Sequence, residues 1–345
     1  MTKPILSVLN GQSIDTIPFW YMRQAGRYLP EYRELRKTAG SFLDMCFNPE
    51  FATEVTLQPL RRFNMEAAIL FADILLIPQA LGQDLKFIPG TGPVLTPVRD
   101  YNAVSELYFD TDKLHAHMAP VYQTVANLAD ALPADKTLIG FAGAPWTVAT
   151  YMVEGGSSKD FQHIKKFMYT DPKGFSRLID MIVEATAAYL IKQIDAGAEV
   201  VQIFDSWAGA LPEGPFDSWS IAPTRKLVEK IRAAHPGVPI IGFPKGAGML
   251  YPRYVRETGV TAVSFDHTLP LSFVRDEIQP LCPVQGGLDN GALLAGGDGM
   301  ISAADNIIKT LSGGPFIFNL GHGVIKDTPP EHVAALSEYI KSVRV

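Results

Sequence analysis

Short, unbroken apolar runs alternate with longer amphipathic stretches along nearly the whole chain. No other feature constrains the fold as strongly. Ile17–Met22, Ala67–Phe71, Leu138–Ala142, Val200–Phe204, Pro239–Phe243, Ala262–Phe265, Pro283–Gln285 and Phe316–Asn319 read as strands. Most lack polar alternation, as strands buried on both faces do. Helices fill the gaps. In Asp171–Ala196, Asp171 suits the N-cap and Pro172 the first turn, while Phe175, Leu178, Ile179, Ile182, Val183, Thr186 and Leu190 share one face and Gly197 ends the run. Asn48-Pro49 opens another helix to about Phe63, and Ser220–Ala234, Ala303–Leu311 and Glu331–Val343 follow the same pattern. Eight β-then-α units in a row predict an α/β fold, a single-domain (β/α)8 TIM-type barrel over residues 1–345. An open, doubly wound sheet is the alternative.

Composition removes several classes. Hydrophobic residues make up 47% and charged residues 19%, the reverse of a disordered chain. The net charge of −6 argues against a nucleic-acid partner. Cys46 and Cys282 cannot form a disulfide framework or a Cys-rich zinc site, and they fit a reduced, cytoplasmic compartment. The N-terminal apolar run is too short for a signal-peptide core. The most apolar stretch, Ala67–Leu81, is shorter than the roughly 18 residues of a membrane span and is broken by Asp73. A soluble protein with no membrane partner is expected.

A barrel places its active site at the carboxyl ends of its strands, so the residues that follow each strand carry the functional argument. After the first come Arg23-Gln24-Ala25-Gly26-Arg27, then Arg33 and Arg36. The arginine fork pairs with carboxylate or phosphate through two parallel hydrogen bonds. Arg33 and Arg36 also suit a solvated helix face beside Glu31 and Glu34, whereas Arg23 and Arg27 flank a glycine in a loop leaving an apolar strand. After the second strand, Asp73 interrupts the most hydrophobic segment. A buried carboxylate needs partners, so Asp73 either caps the next turn or points into a dry cavity. Beyond the third lie Gly143-Ala144-Pro145-Trp146-Thr147 and Tyr151, a packed aromatic or a polar contact. The fourth ends in Asp205-Ser206-Trp207, with Ser206 a cap or a ligand contact; the sixth ends in Asp266-His267; the eighth ends in Asn319-Leu320-Gly321-His322-Gly323. The seven histidines show no metal-ligand spacing, and no GxSxG elbow is present. Gly286-Gly287 and Gly321–Gly323 follow the seventh and eighth strands, where many barrels bind phosphate. A phosphosugar enzyme explains those glycines but not the arginines or Asp73.

PFWYMRQAGRYLPEYRELR (Pro18–Arg36) and GFAGAPWTVATYMVEGGSSKDF (Gly140–Phe161) resemble the two signatures of the uroporphyrinogen decarboxylase family, and FADILLIPQALG, FDSWAG and FNLGHG fit as well. The resemblance covers essentially the whole chain. It implies a distorted barrel, a homodimer, and a reaction without metal, prosthetic group or other cofactor. The four acetate side chains of uroporphyrinogen III would lose carbon dioxide to give coproporphyrinogen III in haem and chlorophyll biosynthesis. Asp73 would be the catalytic residue, accepting pyrrole N–H bonds and offsetting positive charge. Arg23 and Arg27 would clamp substrate carboxylates, with Gln24, Ala25 and Gly26 adding donors. Tyr151, Ser206 and His322 would contact other carboxylates, and Arg36 is a weaker candidate. The proton donor stays open among Arg27, Tyr151, His322 and a substrate carboxyl group.

Two rivals remain on the same barrel. The related corrinoid–thiol methyltransferases need a zinc held by His and Cys late in the chain, whereas Gly242-Phe243-Pro244-Lys245-Gly246 has neither. A non-catalytic tetrapyrrole-binding barrel would have little use for Asp73, Tyr151 and His322 together.

Overall fold

The computed structural model describes residues 3–12, 14–88 and 90–344. Its strands are β1 (Ala67–Ile69), β2 (Leu85–Ile88), β3 (Gly92–Leu95), β4 (Thr137–Gly143), β5 (Val200–Asp205), β6 (Ile240–Pro244), β7 (Ala262–Phe265), β8 (Val284–Leu288) and β9 (Phe316–Leu320). Seven of them form one sheet in the order β1-β4-β5-β6-β7-β8-β9, with every neighbouring pair parallel. The short β2–β3 hairpin is antiparallel and separate.

The expected first strand, Ile17–Met22, is the one that differs. It makes a single parallel bridge, Phe19 to Phe318. Phe318 N donates to Pro18 O (2.9 Å) and Trp20 N to Phe318 O (3.3 Å), while on the other side Glu66 N donates to Phe19 O (3.1 Å). The Phe19 amide is taken by a side chain, Glu66 Oε2 at 3.0 Å, and Pro18 has no amide to give. The ladder therefore stops after one residue, yet the segment still lies between β9 and β1 and closes a distorted barrel.

Most other expected elements are present with shifted ends. The longest helix spans Pro172–Asp195, and Asp171 Oδ1 accepts from Gly174 N at 2.9 Å. Asn48 caps Pro49–Phe63 by accepting from Phe51 N at 3.0 Å. Later helices are Ala222–Ala234, Gly297–Leu311 and Pro330–Ser342. The β2–β3 hairpin and the helix Thr111–Ala131 were not expected from the sequence.

The main hydrophobic core draws on residues from Ile5 to Ile340, and Leu75, Leu85 and Leu95 form a small second cluster under the β2–β3 hairpin. Inside the barrel a polar chain crosses the main core. Trp20 Nε1 donates to Gln285 Oε1 (2.8 Å), and Gln285 Nε2 donates to Ser264 Oγ (2.6 Å) and Gln202 Oε1 (3.1 Å). Every member is buried, and these bonds satisfy groups that would otherwise be costly to desolvate.

Candidate active site

The arginine loop and the last strand end are stitched together. Met22 N donates to Asn319 Oδ1 (3.0 Å), and Val324 N donates to Met22 O (2.9 Å). Arg23 then takes a left-handed conformation with φ 59°, uncommon for a side chain of this size. Its aliphatic stem lies against Gly323, where an added Cβ would come 2.3 Å from Arg23 Cδ. On the other side of His322, an added Cβ at Gly321 would meet the His267 amide nitrogen at 2.4 Å. The two glycines around the histidine are thus spaces for Arg23 and for the loop after β7.

Arg23 and Arg27 are exposed, and Ala25 and Gly26 are partly so. Among the described residues, the backbone amides of Ala25, Gly26 and Arg27 donate to no protein acceptor, whereas Gln24 N donates to Tyr21 O and Leu29 N to Gly26 O (both 3.0 Å). Gln24 itself is turned inward. Its Nε2 donates to Ala67 O (3.2 Å) and its carbonyl accepts from the Tyr28 hydroxyl (2.7 Å), which fits an anchor for the loop. Arg33 is also occupied with structure, its Nη1 donating to Arg27 O (2.8 Å) and Tyr28 O (3.1 Å). Arg36 donates to Gly40 O.

Asp73 combines both readings offered by its sequence. Its Oδ1 accepts from Leu75 N at 2.8 Å, an Asx-type turn that leads into the helix Leu76–Ala80. Its second oxygen accepts no hydrogen bond among the described residues. Burial pushes this carboxyl up to about 6, against the Leu75 amide and the Arg23 charge, which both favour the ionised form. Tyr151 packs by its ring against the base of the β2–β3 hairpin and lies 6.2 Å, centroid to centroid, from Trp207. Burial raises its hydroxyl above the ordinary tyrosine value, and the charge of Asp73 adds to this. Ser206, partly exposed, precedes Trp207, whose amide donates to Thr147 Oγ1 (3.1 Å) and whose carbonyl accepts from Trp146 Nε1 (2.9 Å). The loops after β4 and β5 are locked together by these bonds.

Two buried strand-end aspartates, named in the sequence at their strand ends but given no role there, fix the rest of the mouth. Asp205 accepts from Thr147 Oγ1 and Ser220 Oγ (both 2.6 Å), and burial pushes its carboxyl up to about 6. Asp266 accepts from Gly246 N (2.7 Å), the Tyr251 hydroxyl (3.1 Å) and Thr268 N (3.1 Å). Burial opposes its ionisation, yet these bonds hold it below the usual carboxylate range. Asp205 is the last residue of β5 and Asp266 the first after β7, and that position was the available signal. His322, after β9, is partly exposed, but its Nδ1 is buried without a partner. Burial, helped by the charges of Arg23 and Lys245, pushes it down to about 3, so the ring is neutral at physiological pH.

The first loop, Asp73, Ser206 and His322 thus follow strand ends at one mouth, and Tyr151 stands in the helix Pro145–Glu154 that follows β4. Among the described residues, no three His, Cys, Asp or Glu side chains converge as metal ligands, and no helix is long and apolar enough to cross a membrane.

Comparison with known proteins agrees with the fold. A methyltransferase from Methanosarcina mazei superposes with a TM-score of 0.80 over 98% of this chain and 97% of that one, at 18% identity. A B12-independent methionine synthase from Shewanella sp. W3-18-1 gives 0.56 at 8% identity. At such identities the likeness is one of fold, and it lends nothing to a methyltransferase activity. Sequence separates the candidates. The uroporphyrinogen decarboxylase of Rhodospirillum rubrum is 52% identical over 342 residues, covering 99% of this chain and 98% of that protein. The uroporphyrinogen decarboxylase of Rhizorhabdus wittichii is 51% identical over 335 residues, covering 97% and 96%. The family model described as uroporphyrinogen decarboxylase (URO-D) matches residues 1–343. The chain belongs to the uroporphyrinogen decarboxylase family.

Proposed function

We infer that the protein removes carbon dioxide from the four acetate side chains of uroporphyrinogen III, leaving methyl groups and yielding coproporphyrinogen III. One observation carries the reading. Asp73 offers an oxygen without a hydrogen bond in a heavily desolvated setting under the charge of Arg23, whose loop also carries an exposed Arg27 and a row of backbone amides with no protein acceptor among the described residues.

The chemistry needs an electron sink, and the pyrrole can supply it. Protonation at its α-carbon makes a ring cation conjugated to the acetate methylene. The bond to the carboxylate then breaks, its electron pair moves toward the ring, and carbon dioxide departs. A proton added to the exocyclic carbon and one lost from the α-carbon restore the pyrrole. Each acetate thus consumes one proton net and releases one carbon dioxide. Asp73 would accept bonds from the pyrrole N–H groups and balance the cation. Charge-assisted bonds of this kind contribute roughly 1.5–3 kcal/mol each, and a fixed charge in a dry site stabilises the transition state more than it could in water. Arg23 and Arg27 would hold carboxylates of the rim, with the amides of Ala25, Gly26 and Arg27 beside them. Gln24 would act by anchoring that loop. Tyr151, Ser206 and His322 would meet further carboxylates, His322 as a neutral ring. No metal or other cofactor enters this scheme.

We propose that the chain works as a single domain, 1–345, that it pairs as a homodimer in the cytoplasm, and that it has no nucleic-acid partner. The net charge of −6 supports the last point.

Purified protein given uroporphyrinogen III under anaerobic, reducing conditions, with a chelator present, is expected to yield coproporphyrinogen III. Chromatography of the oxidised products reads the number of carboxylates lost. Recovery of unchanged octacarboxylate would overturn the reading.

A further inference from the structure

The arginine loop grips the mouth from one side only. Going round the barrel from the closing segment at Phe19, the order is β1, β4, β5, β6, β7, β8, β9. β6 is the fourth strand in either direction, so its end lies diametrically across the mouth from Arg23 and Arg27. The residue that follows β6 is Lys245.

Its backbone is held from both flanks. Lys245 N donates to Asp205 O (3.1 Å) and Phe243 O (3.0 Å), and Lys245 O accepts from Gly209 N (3.0 Å). The next amide, Gly246 N, is held by Asp266 Oδ2 at 2.7 Å. The loops after β5 and β6 touch so closely that a Cβ at Gly209 would come 2.7 Å from Gly246 O. The side chain is half-buried. Lys245 and His322 both come just after the carboxyl ends of parallel strands, β6 and β9, at the same end of the sheet.

Ion pairs of the described residues lie elsewhere, such as Arg62–Glu31 and Arg253–Asp217 (both 3.0 Å), and Lys245 takes part in none of them. Among the described residues its ammonium makes no hydrogen bond or ion pair, so its three donors are open to a ligand carboxylate.

We propose that Lys245 is a substrate-binding residue, whose ammonium holds a rim carboxylate of the macrocycle across the mouth from Arg23 and Arg27. The inference rests on the decarboxylase reading and deepens it. Two opposed cationic contacts would keep a flexible polyanion centred over Asp73 through successive turnovers.

The test compares wild-type protein with Lys245→Met, Lys245→Gln and Lys245→Arg. Steady-state turnover of uroporphyrinogen III is measured beside fluorescence binding of uroporphyrin, the oxidised octacarboxylate. Loss of contact to a part of the substrate remote from the reacting bond weakens ground and transition states alike. Lys245→Met and Lys245→Gln are therefore expected to raise KM by about tenfold or more with kcat held within about threefold, and to weaken uroporphyrin binding by a similar factor. Lys245→Arg should recover most of both losses. Should Lys245→Met fail to fold, Lys245→Gln carries the comparison. Unchanged KM and uroporphyrin affinity on loss of the charge would overturn the proposal, as would equal losses in the arginine and glutamine variants. If wild-type protein binds uroporphyrin but decarboxylates nothing, the functional reading falls while the binding series still decides Lys245. If wild-type protein binds no uroporphyrin, the Lys245 proposal falls with it.

Discussion

At the scale of single residues, Asp73 is under two opposed demands. Burial raises its carboxyl to about 6, above the ordinary aspartate value of roughly 3.9. Between those values the folded state keeps a proton that the unfolded chain has released. Stability therefore falls as pH rises through that window and stays at the lower level above it. Asp73→Asn keeps an acceptor for the Leu75 amide and removes the charge. It should melt a few degrees higher than wild type near pH 8, about 1–2 kcal/mol after allowance for the partial accessibility of the site, with the difference fading below about pH 4. The same variant should lose at least about a hundredfold in kcat, and the wild-type kcat/KM should climb with pH through about 6 as the free enzyme ionises. Thermal melts and rate profiles across pH check both halves. A variant that melts lower and turns over normally would refute the role given to Asp73.

At the scale of elements, the barrel depends on places where a strand can come close only because a side chain is missing. A Cβ at Gly287 in β8 would lie 1.9 Å from the ring of the fully buried Phe265 in β7. Gly287→Ala must displace that ring, and a loss of about 3 kcal/mol is expected, seen as a lowered or non-cooperative melt. Gly299, within the helix Gly297–Leu311, has no neighbour within 4 Å, so Gly299→Ala is the matched control and should stabilise by up to about 1 kcal/mol. Most of the parallel strands were readable because burial on both faces leaves a continuous apolar run. Phe19 was misread for a physical reason. Its run is as apolar as the others, but Pro18 lacks an amide and the Glu66 side chain takes the next one, and neither effect shows in hydropathy. The β2–β3 hairpin was hidden by its three partly exposed glycine- and proline-containing positions in β3. The candidate site was legible where chemistry stood out against apolar surroundings, as at Asp73, Arg23 and His322, which the proposed function takes up. It was not legible where long-range hydrogen bonds decide a role. Gln24 faces inward, Arg33 braces carbonyls, and Lys245 gains its meaning only from the order of strands around the barrel.

At the scale of the whole molecule, a net charge of −6 repels an anion at long range, whereas the proposed arginine contacts would attract it at the mouth. Attraction at short range is screened once the Debye length shrinks to a few ångströms, and KM for uroporphyrinogen should rise several-fold between about 0.05 M and 0.5 M salt with little change in kcat. A KM insensitive to salt would show that the exposed cations do not meet the substrate. The closing segment has a temporal consequence. Phe19 is paired with Phe318, Trp20 is latched to Gln285, and Met22 hangs on Asn319. During synthesis, the arginine loop is made first and can meet Glu66 and Ala67 early, yet it lacks its partners on the other side until the ninth strand has left the ribosome. The nascent chain must carry β1 as an open sheet edge for nearly its full length, and a message cut short before residue 316 would yield a protein with every candidate residue but His322 and no assembled site.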